Sequence, residues 1–375
     1  MLPKKLQNKL ETRKEENALR RLGSSNLLVD FSSNDYLGYS QSKDIFKQTH
    51  SLMHEENIEA NGATGSRLLS GNHPLYKLLE SNLCKIHLSE ASLVFNSGYT
   101  ANLGLISSVS QRGDIVLYDE LCHASIRDAI GMSHAKSYKF QHNNLKDLQS
   151  LLEKYSLESD RTIYVITESV FSMDGDTPDL SGLIKLTKSY GAHCIIDEAH
   201  ALGVFKFGLV QSLGLQEKVF ARIVTFGKAM GCHGAAILGS KDLKTYLVNF
   251  SRPFIYTTGL PPHAIASIIS AYNYLQLNSN DKALAKVISY FKDQIEANKL
   301  SQLFIESSSA IQCAVISGND RVKRISQKLQ EVGFDVKPIL SPTVSKGKER
   351  LRFCLHTYNS KEEISEVLRL LATFV

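Results

Sequence analysis

The chain has 375 residues, of which 43% are hydrophobic and 22% charged, and its formal net charge is +5. This composition is typical of a soluble globular chain with material for about two to three domains, and it excludes disordered, collagen-like and disulfide-stapled proteins. The basic surplus is spread thinly, which disfavours a nucleic-acid partner and suits small anionic substrates. No apolar run approaches the roughly 18 residues that a membrane span needs.

The N-terminal segment reads as a charged amphipathic helix over residues 1–22, with Leu2, Leu6 and Leu10 near helical spacing. It has no apolar core of the kind found in signal peptides. The six cysteines form no CxxC pair, so we expect reduced, buried thiols. Together these features predict a cytoplasmic protein. A turn at 23–26 and a strand over 27–31 follow.

Strands and helices alternate through the middle of the chain. Apolar runs that end at polar residues predict strands, and a helical pattern follows residue 98 and covers 180–190. Strands about 30 residues apart with helices between them indicate βαβ units and a mostly parallel sheet. The strands are predicted over 92–95, 115–118, 162–167, 194–196, 223–225 and 235–238.

The last 70 residues change pattern and predict a smaller α+β domain. A long helical region over 264–300 breaks near 278–281. We therefore divide the chain into an N-terminal helix and arm (1–40), a large domain (41–270) and a small domain (271–375). In the small domain, strands are predicted over 310–316, 334–339 and 350–356, and helices over 320–332 and 361–371.

Several familiar motifs are missing from the sequence. No GxGxxG follows a strand, and there is no P-loop, GxSxG elbow or HExxH. His50 and His54 have the i,i+4 spacing of zinc ligands, but the sequence offers no evident third ligand. We interpret them as surface histidines and expect no metal site.

Polar residues follow the predicted strands, at the edge where an open parallel sheet binds its ligands. A turn such as Ser97-Gly98-Tyr99 opens a helix and can hold a phosphate on backbone N–H groups. An acid such as Asp197 can pair with a protonated ring nitrogen, and a histidine such as His123 can stack on a flat ring. Lys228, in a glycine-flanked turn, can form a Schiff base. Each feature alone is weak, but together they predict a pyridoxal phosphate site.

The sequence resembles the α-oxoamine synthases, which are pyridoxal-phosphate enzymes of fold type I, the aspartate aminotransferase type. The resemblance runs from about residue 17 to the C-terminus and implies an α/β fold whose large domain has a mostly parallel sheet flanked by helices. The matching segments are FSSNDYLGYS (31–40), GATGSRLLSGN (62–72), FNSGYTAN (95–102), DELCHASIRDAI (119–130), ESVFSMDGD (168–176), DEAHALGVFKFG (197–208), TFGKAMGCHGAA (225–236) and FIYTTGLPP (254–262).

The resemblance implies roles for individual residues. Lys228 would hold the cofactor and move the proton on the substrate α-carbon, Asp197 would pair with the ring nitrogen, and His123 would stack on the ring. His200 and Ser172 would bond near the phenolic oxygen or the reacting carbonyl. The remaining implied contacts are Ser97, Gly98, Tyr99 and Thr225 at the phosphate, Thr257 or Thr258 reaching over from the second subunit of a homodimer, and Asn34 and Arg352 on the amino acid. Arg20 or Arg21 is a candidate contact for the acyl donor or the CoA phosphate, the alternative being a solvated helix face.

The resemblance also implies a decarboxylative condensation of L-alanine with a pimeloyl thioester, carried by CoA or by a carrier protein. Glycine C-acetyltransferase, 5-aminolevulinate synthase and sphingoid-base synthase activities are alternatives within the family. Two further alternatives are a catalytically idle homologue and a generic aminotransferase. The presence of Lys228, Asp197 and His123 argues against an idle homologue. The sequence departs from the family pattern at Leu340, where relatives often carry an arginine, at Ala201, and at Cys232-His233.

Overall fold

A computed structural model describes residues 2–20, 22, 27–156 and 161–375. Arg21 and the predicted turn at 23–26 lie outside the described residues. Six strands of the alternating region are confirmed to within two residues. The strands are β1 (Val29–Asp30), β2 (Ala91–Phe95), β3 (Ile115–Asp119), β4 (Lys136–Phe140), β5 (Ile163–Glu168), β6 (His193–Asp197), β7 (Leu202–Gly203), β8 (Lys206–Phe207), β9 (Ala221–Thr225), β10 (Ala235–Gly239), β11 (Ile311–Val315), β12 (Phe334–Asp335), β13 (Lys337–Ile339) and β14 (Arg350–Cys354).

Helices follow most of these strands. The predicted break in the long helical region is confirmed, because one helix ends at Leu277 and the next begins at Asn280. Within the described residues, no helix is both long enough and apolar enough to cross a membrane. The helices are α1 (Lys4–Glu15), α2 (Lys43–Glu55), α3 (Pro74–His87), α4 (Gly98–Val109), α5 (Ala124–Met132), α6 (Leu145–Tyr155), α7 (Leu180–Ser189), α8 (Leu209–Ser212), α9 (Lys241–Phe250), α10 (Arg252–Ile255), α11 (Pro262–Leu277), α12 (Asn280–Ala297), α13 (Asn319–Glu331) and α14 (Lys361–Phe374).

A seven-stranded sheet forms the centre of one compact unit, which comprises residues 35–171 and 177–282. Its strand order is β2-β10-β9-β6-β5-β3-β4, and β10 runs antiparallel to both of its neighbours. The pairs of β6 with β5 and β9, and of β3 with β5 and β4, are parallel. The expected α/β fold with a mostly parallel sheet is therefore confirmed.

Both faces of this sheet are buried, which explains the continuous apolar runs of its strands. Side chains alternate between the two faces along a strand. Val116 packs into one hydrophobic core, while Ile115 and Leu117 pack into the other. The register of the strands is consequently fixed. The carboxyl ends of the parallel strands place the polar residues that follow them at one edge of the sheet.

The other compact unit comprises residues 1–34, 172–176 and 283–375. It contains the antiparallel sheet β11-β14-β13 and the parallel pair β1-β12. The short segment 172–176 belongs to this unit although it follows β5 in the chain. The boundaries predicted at residues 40 and 270 stay a prediction.

Two local expectations were wrong, and one strand of the seven-stranded sheet was missed. The N-terminal helix ends at Glu15, because Asn17 takes a left-handed conformation with φ 50° and bonds to Asp320 through its side chain. The strand expected over 334–339 is two strands, one paired with β1 and the other with β14. The strand β4 was missed, since its sequence KSYKF is polar and mostly exposed, as suits a sheet edge.

A buried ion pair joins β9 to the residue after β6. Arg222 is 2% exposed and Glu198 is fully buried. Arg222 Nη1 lies 3.4 Å from Glu198 Oε2, while Glu198 Oε1 accepts the Val210 N–H at 2.9 Å. Each charge depends on the other, because an unpaired buried charge is costly.

We predict that Arg222→Met lowers the free energy of unfolding by about 3–5 kcal/mol, because it leaves the Glu198 carboxyl buried without its cation. Urea unfolding monitored by circular dichroism measures the change. The double variant Arg222→Met with Glu198→Gln should recover part of the loss. A double variant less stable than Arg222→Met alone would contradict this explanation.

Candidate active site

A cavity of about 170 Å³ opens where strands of the seven-stranded sheet end. Residues at or just beyond the ends of β3, β5, β6 and β9 meet there with the first two turns of α4. The sequence singled out six of its lining residues as site candidates. The cavity is lined by Gly98, Tyr99, Asn102, His123, Ser125, Glu168, Asp197, Ala199, Thr225 and Lys228.

Asp197 ends β6 and is 5% exposed. Its Oδ2 accepts a hydrogen bond from Asn102 Nδ2 at 2.7 Å, and its Oδ1 accepts the Ala199 N–H at 2.9 Å. Burying a carboxylate is unfavourable unless both oxygens find donors. The two donors therefore fix the acid in one orientation on the cavity wall.

Lys228 lies in the tight connection between β9 and β10. The N–H of Gly231 donates to the Lys228 carbonyl at 2.8 Å. Gly231 has φ +61°, and a Cβ there would lie 2.2 Å from the Ser40 backbone nitrogen, so only glycine fits this turn. Lys228 Nζ lies 2.7 Å from His200 Nε2. The other nitrogen of the His200 ring lies 2.7 Å from the Tyr36 hydroxyl.

His123 and Glu168 form a second wall of the cavity. The backbone N–H of His123 donates to Glu168 Oε1 at 2.6 Å. Burial lowers the pKa of His123, against the opposing effect of Asp197. Burial, and then the nearby Asp197 carboxylate, raise the pKa of Glu168 from 4.5 to about 8. The wall thus combines a histidine that favours its neutral form with a carboxyl group that holds its proton unusually tightly.

The first turn of α4 borders the same cavity. Ser97 caps this helix, because its hydroxyl accepts the Thr100 N–H at 3.2 Å. A Cβ at Gly98 would lie 3.4 Å from Thr225 Oγ1, so these two residues are in close contact. The N–H groups of a helix start attract anions. Ser97 itself, Thr257 and Thr258 do not line the cavity.

Thr257 and Thr258 contact the residue that precedes this helix cap. Asn96 Nδ2 donates to Thr257 Oγ1 at 3.2 Å and to the Thr258 carbonyl at 2.8 Å. The threonines are therefore tied to the loop that leads into α4.

In the other compact unit, Arg352 is the centre of a separate cluster. Its Nε donates to the Ser172 carbonyl at 2.7 Å and its Nη2 to Asn34 Oδ1 at 3.0 Å, while Nη1 lies 2.8 Å from Cys354 Sγ. Three of the predicted site residues thus come together there. Arg20 is exposed, and its Nη2 lies 3.4 Å from Thr343 Oγ1.

Four residues of the cavity region had no role assigned from the sequence: Tyr36, Asn102, Ser125 and Glu168. Asn102 offered a signal, because it lies four residues after Gly98 and so on the same face of the helix. Glu168 also offered one, as an acid that directly follows the β-branched and aromatic run of β5. Tyr36 reaches His200 across 164 positions of the chain, a contact that no local pattern encodes.

Comparison with known proteins defines the family. The sequence matches the model for aminotransferase class I and II over residues 27–371. The chain belongs to this family.

Individual relatives and solved structures show which members of the family the chain is similar to. The chain is 37% identical to 8-amino-7-oxononanoate synthase of Emericella nidulans, over 97% of this chain and 93% of that protein. Among solved structures, it is similar to 8-amino-7-oxononanoate synthase of Francisella tularensis, with a TM-score of 0.77, 26% identity, and coverage of 92% of this chain and 97% of that one. It is also similar to SPT, a serine palmitoyltransferase, solved with PLP, with a TM-score of 0.85, 25% identity, and coverage of 92% and 86%.

We predict that Glu168 makes the protein less stable as pH rises from about 4.5 to about 8. Between these values the folded protein binds a proton that the unfolded chain has released, so folding is favoured at the acidic end. The slope contributed by one such group is at most about 1.4 kcal/mol per pH unit. Urea unfolding across this range measures it.

Glu168→Gln removes the titrating group and should flatten this dependence. The matched control is Glu153→Gln, a surface position on α6, which should leave the slope as it is in the unsubstituted protein. Equal slopes in all three proteins would show that Glu168 is not the group responsible.

Proposed function

We propose that the protein catalyses the 8-amino-7-oxononanoate synthase reaction of biotin biosynthesis. L-Alanine condenses with a pimeloyl thioester, giving 8-amino-7-oxononanoate, CO2 and the free thiol of CoA or of a carrier protein. The observation that carries this proposal is that the amine of Lys228 and the acid of Asp197 line one cavity, in a chain 37% identical to such a synthase over 97% of its length.

The residues of the cavity fit pyridoxal phosphate as cofactor. Asp197 would accept a hydrogen bond from the ring nitrogen, His123 would stack on the ring, and Lys228 would hold the aldehyde carbon. The start of α4, with Ser97, Gly98, Tyr99 and Thr225, would bind the phosphate. When bound, the cofactor supplies an electron sink for negative charge at the α-carbon of the amino acid.

Lys228 would also transfer the proton at that α-carbon. An amine serves as a base when its position is fixed within hydrogen-bonding reach of the proton. His200 lies 2.7 Å from Lys228 Nζ and is itself held by Tyr36, so the amine has a defined resting place. His200 and Ser172 would bond to the phenolic oxygen of the cofactor or to the reacting carbonyl.

Arg352 and Asn34 would bind the amino-acid carboxylate. The guanidinium has five N–H donors in a planar fork, which matches a carboxylate. Its bonds to the Ser172 carbonyl and to Asn34 hold that plane in one orientation. Arg20, which is exposed, would contact the acyl donor.

A homodimer would complete the site, with Thr257 or Thr258 supplied to the phosphate of the other subunit. We place the enzyme in the cytoplasm, where CoA thioesters and free thiols coexist. All six cysteines are free in the structure.

A second candidate is another α-oxoamine synthase activity, such as that of a glycine C-acetyltransferase or a serine palmitoyltransferase. The similarity to SPT at 25% identity supports this alternative. The two candidates share the cofactor and the order of bond changes and differ in the amino acid and the acyl chain, so substrate choice separates them.

Purified protein loaded with pyridoxal phosphate should be yellow, and Lys228→Ala should lose this lysine-linked absorbance because it lacks the amine. The rate of CoA release by Lys228→Ala should fall by about 10²–10⁴-fold, which is the usual contribution of a positioned base. Lys218→Ala, an exposed lysine before β9, should keep both properties. A Lys228→Ala protein with unchanged spectrum and rate would rule out the assigned role.

A substrate panel tests the choice of reaction. Alanine, glycine and serine are each combined with pimeloyl-, acetyl-, succinyl- and palmitoyl-CoA, and released CoA is measured with a thiol reagent. We expect alanine with pimeloyl-CoA to give a kcat/KM at least about tenfold above every other pair, a difference of about 1.4 kcal/mol. A faster reaction of glycine with acetyl-CoA would replace the biotin assignment by the alternative.

A further inference from the structure

A chain of hydrogen bonds connects Asp197 to the ring of His123 beside the cavity. Asn102 Nδ2 donates to Asp197 Oδ2 at 2.7 Å and to Ser125 Oγ at 3.0 Å. Ser125 Oγ lies 2.8 Å from His123 Nδ1, and the Ser125 N–H donates to the same nitrogen at 3.2 Å. Asn102 is 1% exposed and Ser125 fully buried, so the contact between these two residues is shielded from water.

The chemistry of these groups fixes the direction of each bond. The amide of Asn102 must turn its NH2 toward Asp197, because its oxygen would otherwise face a carboxylate oxygen. The second hydrogen of the Asn102 amide then donates to Ser125 Oγ, which accepts it. The Ser125 hydroxyl proton is therefore free to donate to His123 Nδ1. A backbone N–H can only donate.

His123 Nδ1 therefore faces two donors and must present its lone pair to them. The neutral ring then carries its proton on Nε2, for which no described residue provides a hydrogen-bond partner. We propose that Ser125 and Asn102 are positioning residues that keep the ring proton of His123 on Nε2, where it is available as a donor to a ligand in the cavity. What that ligand is rests on the proposed function, whereas the position of the proton rests on this geometry alone.

The surroundings of His123 also oppose a second proton on Nδ1. An imidazolium would have to place that proton against the Ser125 N–H. His123 precedes the first turn of α5, where the helix dipole disfavours positive charge. Burial and the cations Lys228 and Arg127 lower the pKa of His123, and the carboxylates Asp197 and Asp128 raise it.

The Asn102 amide connects Asp197 and His123, the two residues that would contact the cofactor ring under the proposed function. Asn102 holds Asp197 directly and His123 through Ser125, and its own Oδ1 has no partner among the described residues. Loss of Asn102 should therefore disturb both residues, whereas loss of the Ser125 hydroxyl should disturb only His123. This difference distinguishes a role in the hydrogen-bond chain from Asp197 to His123 from a role in packing alone.

The test is a ¹⁵N NMR titration of the holoprotein, loaded with pyridoxal phosphate and labelled at histidine, with His123 assigned from the signal that disappears in His123→Gln. In the unsubstituted protein we expect a protonated Nε2 and an unprotonated Nδ1. In Ser125→Ala we expect the Nδ1 signal to shift and the ring pKa to rise, because Nδ1 loses the hydroxyl donor while the Ser125 backbone N–H still donates to it. Ser125→Thr, which keeps the hydroxyl, should restore the original ring state.

Ser108→Ala, a buried serine of α4 outside the cavity, controls for loss of a helix hydroxyl and should leave the His123 signals unchanged. An Nδ1–H ring in the unsubstituted protein would overturn the proposal without any variant. An unchanged ring in folded Ser125→Ala would overturn it as well. Because this readout needs no substrate turnover, its failure is distinguishable from failure of the substrate panel.

Discussion

The cavity depends on the presence of a buried carboxylate, Asp197, at the end of a central strand. Such a group is stable in the interior only when donors surround it, and Asn102 and Ala199 supply two. These donors come from the second turn of α4 and from the chain just beyond β6, so the acid links its strand to both. Any substitution that loosens one of them affects the orientation of a charge on which the cavity is built.

From this acid the remaining parts of the site follow in order. The parallel strands bring their carboxyl ends to one edge, and the adjoining turns place an amine, an imidazole and a helix start around the same space. The burial that holds these groups also alters their acid–base behaviour: it raises the pKa of Glu168 and lowers that of His123. Hydrogen bonds between neighbours then determine which atoms carry the protons.

Much of this arrangement could be predicted from the sequence, and the reason is physical. Strands of the central sheet are buried on both faces, so their sequences are apolar runs that end at polar residues. These run ends identified Asp197 and Lys228 as candidates. The supporting residues could not be found in the same way. Tyr36 acts through a contact with a distant segment, and Ser125 links its neighbour His123 to Asn102 on another helix. The strand β4 is an exposed edge strand with a polar sequence. The segment 172–176 follows a strand of the large sheet yet packs with residues beyond 282, because Asp174 pairs with Arg350.

The reversed strand β10 has a consequence for how this protein could change over evolution. Its ladder with β9 begins directly at Thr225 and Ala235, so the lysine-bearing connection is clamped at both ends by paired backbone. Gly231 lies against Ser40 and leaves no room for a side chain there. Substitutions that reshape the pocket would thus accumulate at its other borders, while position 231 stays glycine.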